Sequence, residues 1–413
     1  MAKAPKAKTK VVKVNFHEQL ILNKWLWSKF NPNRLEGMKQ QLDHPQFEGI
    51  EHEGDNAGQT KFFSVISNTL FNKQVVDIDV LRRYDLNIVK HWQKITEKRN
   101  EIEGHVLNLK YFQYLSLLFT ELYLDQYFNH QADMLNELNV ELEQYNHDQK
   151  SDAEQFQQYL PEDLNKIGYW NATGSGKTLL MHVNILQYLD YFQHQNAGST
   201  YPDQIILLTP NEGLSEQHLK ELTDSGFQAT LFDKQKSRNS LYRDEIQIID
   251  MNKLSDTDGD KTVATMSLEG RNLVLIDEGH RGTSSSAGAW MERRDILTKD
   301  GFSFEYSATF GQAVSKADNV YKRFEDAKKQ KAKMLYGMAI NKLTEEQKKN
   351  IQLDELEQQK YRREALREVY AKSILFDYSY KYFYADGYGK EVNILNMKEY
   401  HEDDERNLYL TAC

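Results

Sequence analysis

The stretch IGYWNATGSGKTLLMHVNILQYL, residues 167–189, decides the fold because it joins a short apolar run to a glycine-rich loop and then to a helix. The apolar run predicts a buried strand, and the apolar spacing over residues 179–192 predicts a helix. Gly174 and Gly176 permit a tight turn between them. Because backbone N–H groups in such a loop and at a helix N-terminus bind phosphate, the segment predicts a phosphate-binding loop in an α/β domain.

Six residues of this loop are the candidate nucleotide-binding residues. The lysine would reach the β and γ phosphates of ATP, and the threonine after it would ligate Mg²⁺ through its hydroxyl. Asn171 stands where the common motif has Gly or Ala, and Asn also tolerates left-handed backbone angles. The alternative is a glycine-rich turn that happens to precede a lysine, but the flanking strand and helix favour the phosphate loop. The six residues are Thr173, Gly174, Ser175, Gly176, Lys177 and Thr178.

A second segment, NLVLIDEGH at residues 272–280, is an apolar run that ends in two adjacent acids. Runs that are apolar on both faces are typical of strands buried in a parallel sheet, and ligands bind at the carboxyl ends of such strands. Asp277 is therefore a candidate Mg²⁺ ligand, and Glu278 is a candidate base that orients and deprotonates the attacking water. The alternative interpretation is a surface acid pair at the end of a strand.

The surroundings of both segments predict a doubly wound α/β domain over residues 161–315. Before it, the helical spacing of apolar residues in 14–160 predicts a mostly helical N-terminal domain. After it, residues 316–372 predict a charged helical insertion or connector, and 373–413 predict the beginning of a second, incomplete domain. The expected strands of the α/β domain are residues 167–170, 204–209, 229–232, 246–250, 272–277 and 302–307.

Three finer predictions concern the flanks of this domain. Residues 48–60 are rich in Gly, His and Asp and predict a loop, and residues 74–80 predict a short strand. Residues 374 onward predict two strands around a turn at 386–389.

Composition limits the partners and the compartment. The net charge of -10 argues against a nucleic-acid partner, but the charge is not evenly distributed. Residues 1–13 carry five lysines and no acid, and residues 316–372 also have a basic character. Residues 1–13 predict a disordered basic tail, either a solubilising end or a nucleic-acid-binding arm. The single cysteine, Cys413, excludes a disulfide within the chain. Since there is no long apolar run and no secretion signal, we expect a cytoplasmic protein without a membrane partner.

The motifs NATGSGKT, LLTPNEGLSEQ, DEGH and FEYSATF occur in the order and approximate spacing of motifs I, Ia, II and III of the superfamily two helicases. Within that class, the sequences TPNEGLSEQH, DEGHRG and SATF resemble the motifs of the DEAD/DEAH-like ATPases grouped with the restriction (Res) subunit of type III restriction enzymes. The resemblance covers about residues 165–312. It implies a RecA-like P-loop NTPase domain that uses ATP and Mg²⁺.

The resemblance also implies roles for residues outside the phosphate loop. His280, in the fourth position of motif II, would contact motif III or a partner domain, alongside the catalytic Lys177, Asp277 and Glu278. Thr209, Pro210 and Asn211 of motif Ia would touch the nucleic-acid backbone, and Ser307 and Thr309 of motif III would couple the state of the nucleotide to the binding of the nucleic-acid strand. The alternatives are a strand-to-helix turn for the first three residues and a strand terminus for the last two. The joint order of the motifs favours the helicase roles.

The function that the resemblance implies is an ATP-dependent DNA helicase or translocase in a restriction or phage-defence system. Double-stranded DNA is the expected partner, with a modification or nuclease subunit as a further one. Because no arginine motif in a sheet context follows Phe310, we expect an N-terminal portion of a motor whose isolated hydrolysis is weak or absent. The alternative is an ATP-binding regulatory switch that controls a partner without translocating, and the SAT motif favours the motor.

Overall fold

The structure is a computed structural model that describes residues 16–31, 33–70, 77–149, 155–195, 201–233, 244–255, 263–278, 294–310, 320–354, 357 and 367–389. Seven of its strands form one parallel sheet, and two strands of two residues each pair separately. The strands are β1 (Lys166–Asn171), β2 (Ile205–Thr209), β3 (Ala229–Leu231), β4 (Ile246–Asp250), β5 (Leu254–Ser255), β6 (Val263–Ala264), β7 (Leu273–Asp277), β8 (Phe302–Ser307) and β9 (Ile374–Tyr378).

The strand order in the large sheet is β3-β4-β2-β7-β8-β1-β9, and every neighbouring pair is parallel. All six strands predicted for the α/β domain are present. Every residue of the central strands β2, β7 and β8 is buried, as expected for a sheet covered on both faces. Because all strands point the same way, their carboxyl ends share one edge, which we call the carboxyl edge.

Helices precede the sheet and alternate with its strands. The N-terminal region is helical as predicted, and the loop expected at residues 48–60 is present as turns closed by a bridge between Ile50 and Thr60. The helices are α1 (Ile21–Trp27), α2 (Leu35–Leu42), α3 (Lys61–Val65), α4 (Ile78–Glu103), α5 (Tyr111–Asn129), α6 (Gln131–His147), α7 (Lys177–Gln195), α8 (Glu212–Asp224), α9 (Val320–Tyr336), α10 (Glu345–Asn350) and α11 (Tyr380–Ala385).

The N-terminal helices and the sheet share one hydrophobic core. Phe119 of α5 packs edge-on against Trp27 of α1 at 4.7 Å and against Phe376 of β9 at 5.6 Å between ring centroids. Each large apolar side chain buried in this way contributes about 1.5–3 kcal/mol. The helical region is therefore packed directly onto the large sheet. Among the described residues, no helix is long and apolar enough to cross a membrane.

The strand predicted at residues 74–80 is wrong where the structure describes it. Helix α4 begins at Ile78, and its N-cap Asp77 accepts a hydrogen bond from the Asp79 N–H at 2.7 Å. The β-branched residues there favour a strand locally, but the cap and the buried helical spacing of Leu81, Tyr84 and Ile88 decide for a helix. Residues 71–76 lie outside the described part of the chain.

The expectation that residues 373–413 begin a second domain also needs correction. Strand β9 pairs with β1 as the last strand of the large sheet, and all five of its residues are buried. The first of the two predicted strands ends at Tyr378, because residues 380–385 are helix α11, and the second, after the turn at 386–389, lies outside the described residues. The physical reason is that β9 covers the edge of β1, which would otherwise expose unpaired backbone groups. Residues 390–413 lie outside the description, and the other domain boundaries stay predictions.

Candidate functional site

The predicted phosphate loop connects β1 to α7 at the carboxyl edge. Gly174 and Gly176 have φ of +88° and +87°, a backbone region that strains any L side chain. A Cβ at position 176 would lie 2.5 Å from Nε2 of Gln113, so a side chain there would displace this amide group. The Ser175 N–H donates to the Ala172 carbonyl at 3.2 Å and tightens the loop.

Two elements outside the motif hold the loop from its sides. Gln113 of α5 donates from Nε2 to the Ser175 carbonyl at 3.1 Å, and its Oε1 accepts from the Lys110 N–H at 2.9 Å. On the other side, the Ala172 N–H donates to the carbonyl of Tyr378 in β9 at 2.9 Å. Sequence reasoning missed both supports, because neither residue belongs to a motif and both lie far from the loop along the chain.

The acidic pair meets the phosphate loop directly. Lys177 Nζ forms an ion pair with the Glu278 carboxylate across 101 residues of sequence. Glu278 has φ +50°, the only positive φ among the described non-glycine residues, and its N–H donates to the Tyr306 carbonyl at 2.9 Å. Strained backbone of this kind is found most often at functional sites. The structure thus brings together two segments that the sequence analysis selected separately.

Asp277, at the end of β7, is held by a histidine that the sequence analysis assigned no role. His218 of α8 is buried, and its Nε2 lies 2.9 Å from Asp277 Oδ2. Burial alone would raise the pKa of Asp277, but the hydrogen bond and charge of His218 and the charge of Lys177 outweigh it and lower this pKa below its ordinary value. Asp277 is therefore a carboxylate, and the His218 nitrogen facing it carries the proton.

The residues present fit a magnesium nucleotide. Within the described chain, Asp277 Oδ1 and Ser175 Oγ are buried without a hydrogen-bond partner. A buried polar atom in that state costs about 1–3 kcal/mol, which a ligand would recover. Nowhere in the described residues do three His, Cys, Asp or Glu side chains form a metal-binding group. The Asp277 carboxylate beside the phosphate loop matches the needs of Mg²⁺, which is held by one or two carboxylates and by phosphate oxygens.

The remaining predicted residues lie at the same carboxyl edge. Thr209 ends β2, and its hydroxyl is 2.6 Å from that of Ser215. Asn211 caps α8 by accepting from the Leu214 N–H at 3.0 Å, and Pro210 lies between these two residues.

Motif III ends the neighbouring strand β8. The Thr309 N–H donates to Ser307 Oγ at 3.0 Å. Ser307 and Thr209 are buried, whereas Asn211 is exposed and Pro210 and Thr309 are half-buried. His280 lies outside the described residues.

A parallel sheet with a phosphate loop after its first strand and an acidic pair at the same edge is the arrangement of a RecA-like P-loop NTPase domain. Residues 126–312 match the family model of the type III restriction enzyme, res subunit, which confirms the predicted resemblance. The matched segment is thus a helicase-family ATPase domain.

No curated protein matches the chain. One similar solved structure is that of the Sulfolobus solfataricus SWI2/SNF2 ATPase core in complex with dsDNA, at 14% identity and a TM-score of 0.24. The match covers 34% of this chain and 27% of that chain.

Proposed function

We propose that this chain hydrolyses ATP and couples the hydrolysis to movement along nucleic acid, with double-stranded DNA as the polymer. The observation that carries the proposal is the contact of Lys177 with Glu278 beside Asp277. This contact brings together a lysine that can bind the phosphates, an aspartate that can bind magnesium and a glutamate that can orient water. The match of residues 126–312 to the res subunit family supports a role in restriction or phage defence, with a modification or nuclease subunit as a partner.

Nucleotide binding is assigned to residues Thr173 to Thr178. The loop lies at the N-terminus of α7, where free helix N–H groups and the helix dipole favour negatively charged phosphates. Lys177 leaves Glu278 and pairs with the β and γ phosphates, because a triphosphate offers more negative charge than one carboxylate. Thr178 and Asp277 would hold Mg²⁺, and the ion would supply neutralising charge for the phosphate oxygens.

Glu278 is assigned as the base. Its left-handed backbone directs the carboxylate toward Lys177 and therefore toward the end of the phosphate chain. Once Lys177 has turned to the phosphates, Glu278 is able to orient the attacking water and accept its proton. Asp277 does not compete for that proton, because its pKa is lowered and it binds His218 and the metal.

Coupling to nucleic acid is assigned to motifs Ia and III. Asn211, at the proposed nucleic-acid surface, caps the N-terminus of α8, and His218 of the same helix holds Asp277. A shift of α8 on the polymer would therefore move a magnesium ligand. On the next strand, Tyr306 accepts from the Glu278 N–H immediately before Ser307, so motif III adjoins the base. His280 is assigned by its motif position alone.

Phosphate release measured with saturating ATP and Mg²⁺, with and without duplex DNA, single-stranded DNA or RNA, tests the proposal. We expect turnover without nucleic acid to be weak or absent, duplex DNA to stimulate it, and displacement of a triplex-forming strand to report movement. Glu278→Gln should keep ATP binding and reduce turnover by at least a hundredfold, since a general base contributes about 10²–10⁴. Lys177→Ala should lose ATP binding.

Two outcomes would contradict this assignment. ATP binding without stimulation by any nucleic acid would instead support the regulatory switch. Unchanged turnover in Glu278→Gln would remove Glu278 from the role of base.

A further inference from the structure

The segment between β8 and β9 forms a small module of its own. Helix α9 packs on the short helical turn Ile340–Lys342, and Ala332, Leu343 and Ile351 form a third hydrophobic core separate from the two cores of the sheet. Lys331 of α9 ties the module together through Glu357 at 2.6 Å and the Gln352 carbonyl at 3.2 Å. One side of α9 is therefore used for internal packing.

The other side of α9 is exposed and basic. In a chain of net charge -10, this helix contains six Lys or Arg and two acids. Lys329 and Lys333 are exposed and four residues apart, as are Gln330 and Met334, so the four share one face. We call these four residues the α9 face.

Apolar side chains border the α9 face at its C-terminal end. The exposed fractions are 81% for Met334, 51% for Leu335 and 43% for Met338, large values for apolar residues. Lysine, a flexible point charge, suits sequence-independent contact with phosphates, and the apolar side chains suit the sugar edges between them. The lysine charges and the exposed apolar side chains together match a polyanion whose phosphates alternate with apolar sugar edges.

The position of the module relates it to the proposed motor. The chain leaves β8 at Ser307, on the carboxyl edge that carries motifs Ia and III, and α9 begins thirteen residues later. We propose that the α9 face binds the phosphate backbone of duplex nucleic acid. This inference rests on the proposed function, because it gives the proposed motor an additional contact with its polymer.

Fluorescence anisotropy of a labelled 30-base-pair duplex, titrated with the full chain between 50 and 200 mM salt, tests the proposal. We expect Lys329→Gln/Lys333→Gln to bind roughly tenfold or more weakly at 0.1 M salt and to flatten the slope of log K against log salt by about two. Binding of a fluorescent ATP analogue should not change. The loss should be equal for duplexes of different sequence, since phosphate contacts carry no base information.

The matched control is Lys94→Gln/Lys299→Gln. It removes the same charge from exposed positions, on α4 and in the loop before the amino end of β8. It should bind the duplex like the parent chain. If the parent chain binds the duplex and the α9 variant binds equally well, the inference is overturned while the proposed function stands.

Two further results are distinguishable from that one. If the parent chain binds ATP but no duplex at any salt concentration, the proposed function fails and the α9 face fails with it. If phosphatidylserine vesicles, tested in parallel, bind through Lys329 and Lys333 while the duplex does not, the face belongs to a membrane surface and the inference is overturned.

Discussion

At the scale of single residues, the site depends on a few backbone angles and one buried histidine. Gly174 and Gly176 supply the positive φ that the phosphate loop requires, and Glu278 takes a positive φ despite its side chain. His218 supplies the donor that keeps Asp277 ionised and in place. Each of these features acts by positioning a group that faces the nucleotide.

We predict that His218→Ala raises the Mg²⁺ concentration needed for half-maximal ATP hydrolysis by about tenfold to a hundredfold, the usual effect of removing a residue that orients a metal ligand. His218→Gln, which keeps an N–H donor, should recover part of the loss. Titration of Mg²⁺ at fixed ATP measures this, with His52→Ala, an exposed loop histidine, as the control. An unchanged Mg²⁺ requirement in His218→Ala would show that Asp277 needs no such support.

At the scale of elements, the phosphate loop is held between α5, which precedes it in the chain, and β9, which follows it. Gln113 of α5 contacts the Ser175 carbonyl, and Tyr378 of β9 contacts the Ala172 N–H. The ring of Phe112 also stacks on Tyr378 at 3.9 Å between centroids, which joins these two supports to each other. The loop geometry therefore depends on elements outside the segment that matches the family.

We predict that Gln113→Ala weakens ATP binding about threefold to tenfold, because a single hydrogen bond contributes about 0.5–1.5 kcal/mol. Isothermal titration with a non-hydrolysable ATP analogue measures the effect. Gln93→Ala, on the exposed side of α4, is the matched control and should bind normally. Equal affinities in the two variants would mean that the loop keeps its shape without α5.

At the scale of the whole molecule, the N-terminal helices and the ATPase helix α7 are joined through a buried carboxylate. Glu121 of α5 accepts hydrogen bonds from Asn87 of α4 at 2.9 Å and from Gln187 and Tyr191 of α7 at 2.7 and 2.9 Å. Burial raises its pKa from 4.5 to about 7, although these three donors oppose the shift. The packing of the helical region on the ATPase sheet is therefore sensitive to pH.

The direction of the pH dependence of stability follows from the raised pKa of Glu121. The protonated form is favoured in the folded state, so the stability that Glu121 contributes is fully present below pH 4.5 and is lost as pH rises through about 7. We predict that Glu121→Gln, which imitates the neutral acid, gains about 3 kcal/mol relative to the parent chain between pH 4.5 and pH 8. Urea unfolding at these two pH values measures it.

The control for this prediction is Glu143→Gln on the exposed side of α6. It should follow the parent chain at both pH values. A Glu121→Gln variant that also follows the parent chain would show that the Glu121 carboxylate is tolerated in its ionised form.

The sequence by itself determined the parallel α/β domain, its six predicted strands and the two motifs of the nucleotide site. It could do so because those signals are local. A strand buried on both faces must be apolar throughout, and a phosphate loop needs Gly174, Gly176 and Lys177 close together in the sequence. The family match over residues 126–312 agrees with that local information.

Only the tertiary structure decided which distant residues complete the site and the sheet. The strand preference at residues 78–80 yielded to the cap at Asp77 and to the buried face of α4. Strand β9 joined the ATPase sheet because pairing with β1 covers an otherwise open edge. Gln113 and His218 reached the site because α5 and α8 pack beside it, and packing between distant segments leaves no local pattern in the sequence.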